Sequence, residues 1–248
     1  MIILKIYATA KPKGDFLAAI FCVLLSFLII AVTVLCTPKI VNTTASLKDS
    51  TPVVIVDAGH GGIDGGAVAP DGTQEKDINL KIAKNLCNIL TLSGIKVIPV
   101  RTEDISIHDE SAKTIRQKKI SDIHNRLALT EQTPNCILVS IHQNIYQNSS
   151  AKGTQVFYSR NAQNSAVLAK YIQNSVVSLL QPDNHRMTKE AGSDIYLLYQ
   201  TKVPAVMVEC GFLSNPAELS ELKTEKYQSR IAFAVYTGIT QYINSSEG

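Results

Sequence analysis

Val53-Val54-Ile55-Val56-Asp57-Ala58-Gly59-His60-Gly61-Gly62-Ile63-Asp64-Gly65-Gly66-Ala67 opens on four β-branched residues and runs into a loop with five glycines among the eleven residues from Asp57 to Ala67. A short, unbroken apolar run predicts a strand covered on both faces, as in a parallel sheet. The glycines allow backbone conformations closed to other residues, so the loop can hold His60 at the sheet edge with space above it. A phosphate loop is the competing reading. It lacks Gly-Lys-Ser/Thr, and the next helical pattern begins too far downstream.

Outward from this stretch the same alternation continues. Further apolar runs at Ile95–Val100, Ile137–Ile141, Gly153–Tyr158, Ile195–Leu198 and Ala205–Val208 read as strands. Between them, Glu75 to Leu90 places Ile78, Ile82, Leu86, Ile89 and Leu90 at helical spacing, with Gly94 as the stop. A second helix spans about 164–180 with Val167, Leu168, Tyr171, Ile172, Val176 and Leu179 on one face. Asn215-Pro216-Ala217-Glu218 reads as a helix start with an N-cap, a proline at the first position and a capping-box glutamate; a last helix covers about 226–242. The expectation is a single α/β domain over residues 51–245, with a mostly parallel twisted sheet of about six strands and helices on both faces. No internal repeat is visible, and no second domain is expected.

The N-terminal fifth differs in kind. Residues 16–36 run for 21 residues without a formal charge, interrupted mainly by Ser26 and Thr33. As a helix this hydrophobic segment is long enough for a bilayer core of about 30 Å. Lys5, Lys11 and Lys13 precede it, which places residues 1–15 in the cytoplasm and the rest outside. A cleaved signal segment is the rival reading, though its apolar core usually runs only about 7–15 residues. Residues 37–50 form a Ser/Thr-rich linker. The first 52 residues hold five lysines against two aspartates, which accounts for the whole net charge of +3. The neutral remainder carries no basic footprint for nucleic acid. Of five cysteines, Cys22 and Cys36 lie in the hydrophobic segment; Cys87, Cys136 and Cys210 have no metal-ligand spacing and read as buried free thiols.

Four polar residues follow directly on apolar runs: Asp57, Arg101, His142 and Glu209. If the strands are parallel, all four gather on the carboxyl rim of the sheet, where sites of open α/β folds form. Among the five histidines (His60, His108, His124, His142, His185) only His60 and His142 sit at strand ends. Two imidazoles and a carboxylate make the usual ligand set of a catalytic zinc, and Glu75 at the start of the first helix is the candidate carboxylate. Helix-dipole stabilisation is its plainer reading. Glu209, between Pro204-Ala205-Val206-Met207-Val208 and Cys210-Gly211-Phe212-Leu213, is expected to be partly buried. Burial would raise its pKa toward the range of general acid–base work, with a structural ion pair as the alternative.

These pieces, together with Glu75-Lys76-Asp77, Arg101-Thr102-Glu103-Asp104 and Ser140-Ile141-His142-Gln143-Asn144, resemble the zinc-dependent N-acetylmuramoyl-L-alanine amidases of cell-division and spore-wall lysis, in the same order and over 53–243. The resemblance implies that His60, Glu75 and His142 bind Zn2+ and that Glu209 is catalytic. It implies hydrolysis of the amide between N-acetylmuramic acid and L-alanine in peptidoglycan. Arg101, Asn144 and Arg126 are candidates for holding substrate or supporting the site, and Asp57 and Asp64 for hydrogen-bonding the loop or a ligand histidine. The chain departs from the family pattern at Ala58, usually Pro, and at Gln143, often Ala. Its size and N-terminal segment look like the germination-specific subgroup, which implies a role with a deacetylase in forming muramic-δ-lactam of the spore cortex. Some relatives carry an inhibitory helix between the second and third strand regions. Residues 101–136 read as too short and polar for that, so control by timing, location or a regulatory or activating protein partner is expected. A zinc peptidase acting on the stem peptide and an inactive wall-binding regulator on the same fold remain the alternative readings.

Overall fold

The computed structural model describes residues 20, 21, 23–26 and 51–245. The expected N-terminal helix and linker therefore lie almost wholly outside the described residues; among the described residues no helix is long and apolar enough to cross a membrane. The chain divides into two units, Met1–Asp49 and Ser50–Gly248, and all that follows concerns the second.

Its strands are β1 (Val53–Ala58), β2 (Val97–Pro99), β3 (Cys136–Asn144), β4 (Gln155–Tyr158), β5 (Lys189–Glu190) and β6 (Ala205–Phe212), joined in the order β2-β1-β3-β6-β4-β5. The helices are α1 (Glu75–Leu92), α2 (Ile115–Gln132), α3 (Ser165–Leu179), α4 (Tyr196–Gln200), α5 (Pro216–Leu222) and α6 (Glu225–Ser245). The sheet is mixed. β2, β1, β3 and β6 run parallel, whereas β4 is antiparallel to β6 and carries β5 parallel to itself. The reason is the link from β3 to β4. It contains no crossover helix, so the chain turns at the rim and re-enters the sheet from the side it left.

Alternation along the strands separates two unequal faces. Val54, Val56, Ile137, Val139, Ile141, Val206 and Val208 enter one large core, closed by Ile78, Ile82 and Leu86 of α1, Leu168, Ile172 and Val176 of α3, and Ile231, Val235 and Ile239 of α6. Each such fully buried side chain contributes about 1.5–3 kcal/mol. α3 and α6 meet at Gly238, where an added Cβ would lie 2.4 Å from the Ile172 Cα. The other face is thin: Ile55, Leu138, Ala205 and Met207 meet Leu197 and Leu198 of α4, with Ile123, Leu127 and Leu129 of α2 packed against them.

One strand assignment needs correcting. Ile195–Leu198 forms no strand; α4 begins within it, with Leu197 and Leu198 buried on the thin face. A four-residue apolar run has no period of its own, and burial alone does not choose helix or strand. The sixth strand is instead the polar pair Lys189–Glu190 at the sheet edge. The region 101–136, read as too short and polar for an inhibitory helix, holds α2, started by a Thr114/Gln117 capping box. At the start of α5 the Asn215 cap and Pro216 are as read, with the Asn215 side chain accepting from Ala217 N and Glu218 N at 3.0 and 3.2 Å, but Glu218 closes no capping box: its carboxylate accepts from Gly153 N and Phe212 N instead. Cys87, Cys136 and Cys210 are free thiols, Cys87 only half-buried.

Candidate active site

The glycine-rich loop is anchored before it presents anything. Asp57, buried on the thin face of β1, accepts from Ser140 Oγ at 2.6 Å and from the Arg126 guanidinium. Burial opposes its ionisation, but Arg126 and Ser140 hold the carboxyl below its usual range. Arg126 also donates to Asp122 at 2.6 Å and to the carbonyls of Ala58 and His60 at 3.1 and 2.8 Å. Arg101 grips the loop from β2, donating to the carbonyls of Ala58 (2.8 Å), Gly59 (3.1 Å), Lys76 (2.9 Å) and Glu103 (3.0 Å). Both arginines are buried and engaged with the chain's own groups, which fits support of the loop and leaves them little to offer a substrate. Lys76 closes the outer side by donating to Gly62 O and Asp104 Oδ2, both at 2.7 Å.

So held, the loop turns His60 into the left-handed region at φ 62° and toward Glu75. His60 Nε2 lies 3.2 Å from Glu75 Oε2, and His142 Nδ1 lies 2.9 Å from Glu75 Oε1. The two imidazoles meet edge to face with centroids 4.9 Å apart. One donor atom from each of His60, Glu75 and His142 falls within 4.8 Å of the others. Gly59 makes this approach feasible, since a Cβ there would stand 2.1 Å from His142 Nε2. Glu75 is buried and further fixed by Ala67 N (2.8 Å), Gln143 N (3.0 Å) and Asn79 Nδ2 (3.2 Å). Burial opposes its charge, but hydrogen bonds to the two histidines hold it far below the usual carboxylate range. Asp64 accepts from His60 Nδ1 at 2.9 Å and pairs with Lys119 at 2.7 Å. It thereby orients the ring whose other nitrogen faces the cluster. Burial disfavours a charged His60, yet its bonds to Asp64 and Glu75 prevail and lift it to about 9.

Glu209 stands beside this cluster, paired in register with His142 across β3 and β6. Its Oε2 is buried without a hydrogen-bond partner. Burial pushes the carboxyl up to about 7, with His142 pulling it down and Glu75 pushing it up. Asn144 ends β3 half-buried at a register shift between β3 and β6, near the cluster and without a role in anchoring it. His108 bonds Ser106, His124 stacks on Tyr196, and His185 lines a different cavity.

Sequence reasoning missed the layer below. Asn79 Oδ1 accepts from Gln143 Nε2 at 3.1 Å, and its amide reaches both Glu75 and Gly59 O. The one available signal was the four-residue spacing of Glu75 and Asn79 on α1, which puts them on one helix face.

A model of the N-acetylmuramoyl-L-alanine amidase family matches residues 54–241. The germination-specific N-acetylmuramoyl-L-alanine amidase of Bacillus subtilis is 34% identical over 197 residues, 79% of this chain and 82% of that protein. The CwlD amidase of Clostridioides difficile, solved in complex with the GerS lipoprotein, superposes with TM-score 0.75 at 40% identity over 78% of this chain and 99% of that one. A second N-acetylmuramoyl-L-alanine amidase, from Clostridium difficile 630, gives TM-score 0.68 at 32% identity over 79% and 98%. With a match across the whole folded unit and a histidine–carboxylate cluster at its rim, this chain belongs to the N-acetylmuramoyl-L-alanine amidase family.

Proposed function

We propose that this amidase works with Glu209 as its acid–base residue and His60, Glu75 and His142 as zinc ligands, and that its substrate is spore-cortex peptidoglycan. The bond it hydrolyses joins the lactyl group of N-acetylmuramic acid to L-alanine. The observation that carries the reading is the unpartnered, buried Glu209 oxygen beside two imidazoles and a carboxylate within 4.8 Å of one another.

The donor set suits zinc: two imidazole nitrogens, one carboxylate, and a second carboxylate behind His60. A zinc ion held there supplies Lewis-acid chemistry, acidifying water and polarising a carbonyl oxygen. The residues do the rest. Asp64 fixes the His60 ring. Asn79, Gln143 and Ala67 keep both Glu75 oxygens aimed at the histidines. Glu209, with a pKa near neutrality, takes a proton from the attacking water as its oxygen bonds the lactyl carbon. The carbon–nitrogen bond then breaks and Glu209 returns the proton to the departing amine of L-alanine.

The cortex assignment draws on similarity to a germination-specific amidase and to a CwlD amidase. The lipoprotein bound to the latter supports a protein partner as the regulator here. We further assign the enzyme to the outer side of a bacterial membrane, anchored by or processed from residues 16–36. Digestion of purified peptidoglycan with and without zinc, read by mass spectrometry, tests the core reading. Intact stem peptides freed from the glycan, with release abolished by chelator and by Glu209→Gln, are the expected result; cuts within the stem peptide would instead identify a peptidase.

A further inference from the structure

The face that bears Glu209 continues past it. Gln155, the first residue of β4, pairs with Glu209 across the antiparallel ladder, and paired residues point to the same side of a sheet. Gln155 is held in place: its Nε2 donates to Met187 O at 2.9 Å, and its Oε1 accepts from Arg186 Nη1 at 3.1 Å. Arg186 is itself rigid. Its Nε donates to Lys152 O at 2.7 Å, and its guanidinium carbon stands 4.6 Å from the centroid of the Phe212 ring. Phe212 pairs in turn with Asn144 at the end of β3.

A fixed, half-buried cation thus stands about one strand spacing of 4.8 Å plus a side chain beyond the reaction centre, on the same rim. Among the described residues Arg186 forms no close ion pair, and the acid its charge acts on is the nearby Glu218. The neighbouring Glu218 is engaged elsewhere. Its two oxygens accept from Gly153 N and Phe212 N, each at 2.8 Å, and burial pushes its pKa up. Arg186 also lines a cavity of about 520 Å³, together with Lys152 and His185 and with the acids Asp183 and Glu218.

We propose that Arg186 and this cavity form the subsite for a carboxylate of the peptide on the amine side of the scissile bond. The inference rests on Glu209 marking the reaction centre. On the glycan side, the lactyl carboxyl is consumed in the amide itself, whereas the stem peptide carries free carboxylates. An extended residue spans about 3.3–3.6 Å, so the second residue of the peptide comes within reach of the guanidinium. A guanidinium with part of its donor fork still free matches a planar carboxylate better than a neutral amide.

The test uses the full chain and two ligands: a stem peptide beginning with L-alanine whose second residue keeps its free carboxylate, and the same peptide as the carboxamide. Calorimetry on the wild type is expected to show about tenfold tighter binding of the carboxylate, the scale of one charge-assisted hydrogen bond. Arg186→Gln, which can still donate to neighbouring carbonyls, should bind both peptides alike, and Arg186→Lys should keep part of the preference. Equal binding by the wild type, or an undiminished preference in Arg186→Gln, overturns the proposal. Binding is read without turnover, so a failure of the assigned chemistry shows separately, as absence of amide cleavage in peptidoglycan digests.

Discussion

The two faces of the sheet are built from the same strands and do opposite work. On the thick face, alternate residues of β1, β3 and β6 are Val, Ile and Ala against three long helices. On the thin face the intervening positions change character along each strand. Ile55 gives way to Asp57, Leu138 to Ser140 and His142, and Met207 to Glu209. Apolar packing ends about where chemistry begins. The buried Asp57–Arg126 pair then stands in for the missing apolar core under the loop. The lesson is a division of labour by parity: one face supplies stability, and the other accepts polar burial so that groups of unusual ionisation can stand at its rim.

The sharpest way to break that division is at Glu209. Glu209→Gln is expected to lower kcat by about 10²–10⁴-fold while zinc content, measured by metal analysis, stays stoichiometric. Full activity would remove Glu209 from the chemistry. Stability should move the other way. A carboxyl raised to about 7 favours the folded state while protonated, and that contribution is lost as pH rises from its ordinary value of 4.5 through 7. With metal removed, Glu209→Gln should therefore be more stable than wild type well above pH 7, by about 3 kcal/mol. The gain should vanish below pH 4.5, as read by urea unfolding at both pH values.

Next in size is the ion pair beneath the loop. Arg126→Ala leaves Asp57 buried and uncompensated, so a loss of about 3–5 kcal/mol is expected. Because Arg126 also holds the carbonyls of Ala58 and His60, zinc affinity should fall with it. A stable variant with unchanged zinc binding would contradict the supporting role. On the thick face the effect should be purely structural. Gly238→Ala forces a methyl against the Ile172 backbone and should cost about 1–3 kcal/mol. Thermal melting should register it while kcat/KM of the remaining folded enzyme is unchanged. Smallest is Thr114→Ala, which removes the capping box of α2 at a cost of about 1 kcal/mol and also spares catalysis.

Legibility followed the same division. The thick face was readable because its helices carry apolar residues at a regular period, and α1, α3 and α6 lie close to where the spacing put them. The thin face was not. Arg126 and Thr130 are the buried residues of α2, so a helix that packs through polar side chains left no apolar stripe to see. α4 failed for the reverse reason, as an apolar run too short to have a period. At the site, His142 and Glu209 were legible as chemical residues ending apolar runs, His60 as the histidine of a glycine-rich loop, and Glu75 as an acid opening a helix. Their convergence was not legible, because Glu75 lies 15 positions from His60 and 67 from His142 along the chain.

What the sequence determined by itself is the alternation of strand and helix, the place of the glycine-rich loop and the identity of the reactive side chains. These are local properties, set by period, sterics and residue chemistry. What only the tertiary structure decided is which of those side chains share a space. Parallel pairing of β3 with β6 sets His142 against Glu209, and α1 brings Glu75 over the rim. The direct turn from β3 to β4 reverses the sheet and lines Gln155 and Arg186 up beyond them. Distances of that kind depend on contacts between segments far apart in the chain, which no local pattern encodes.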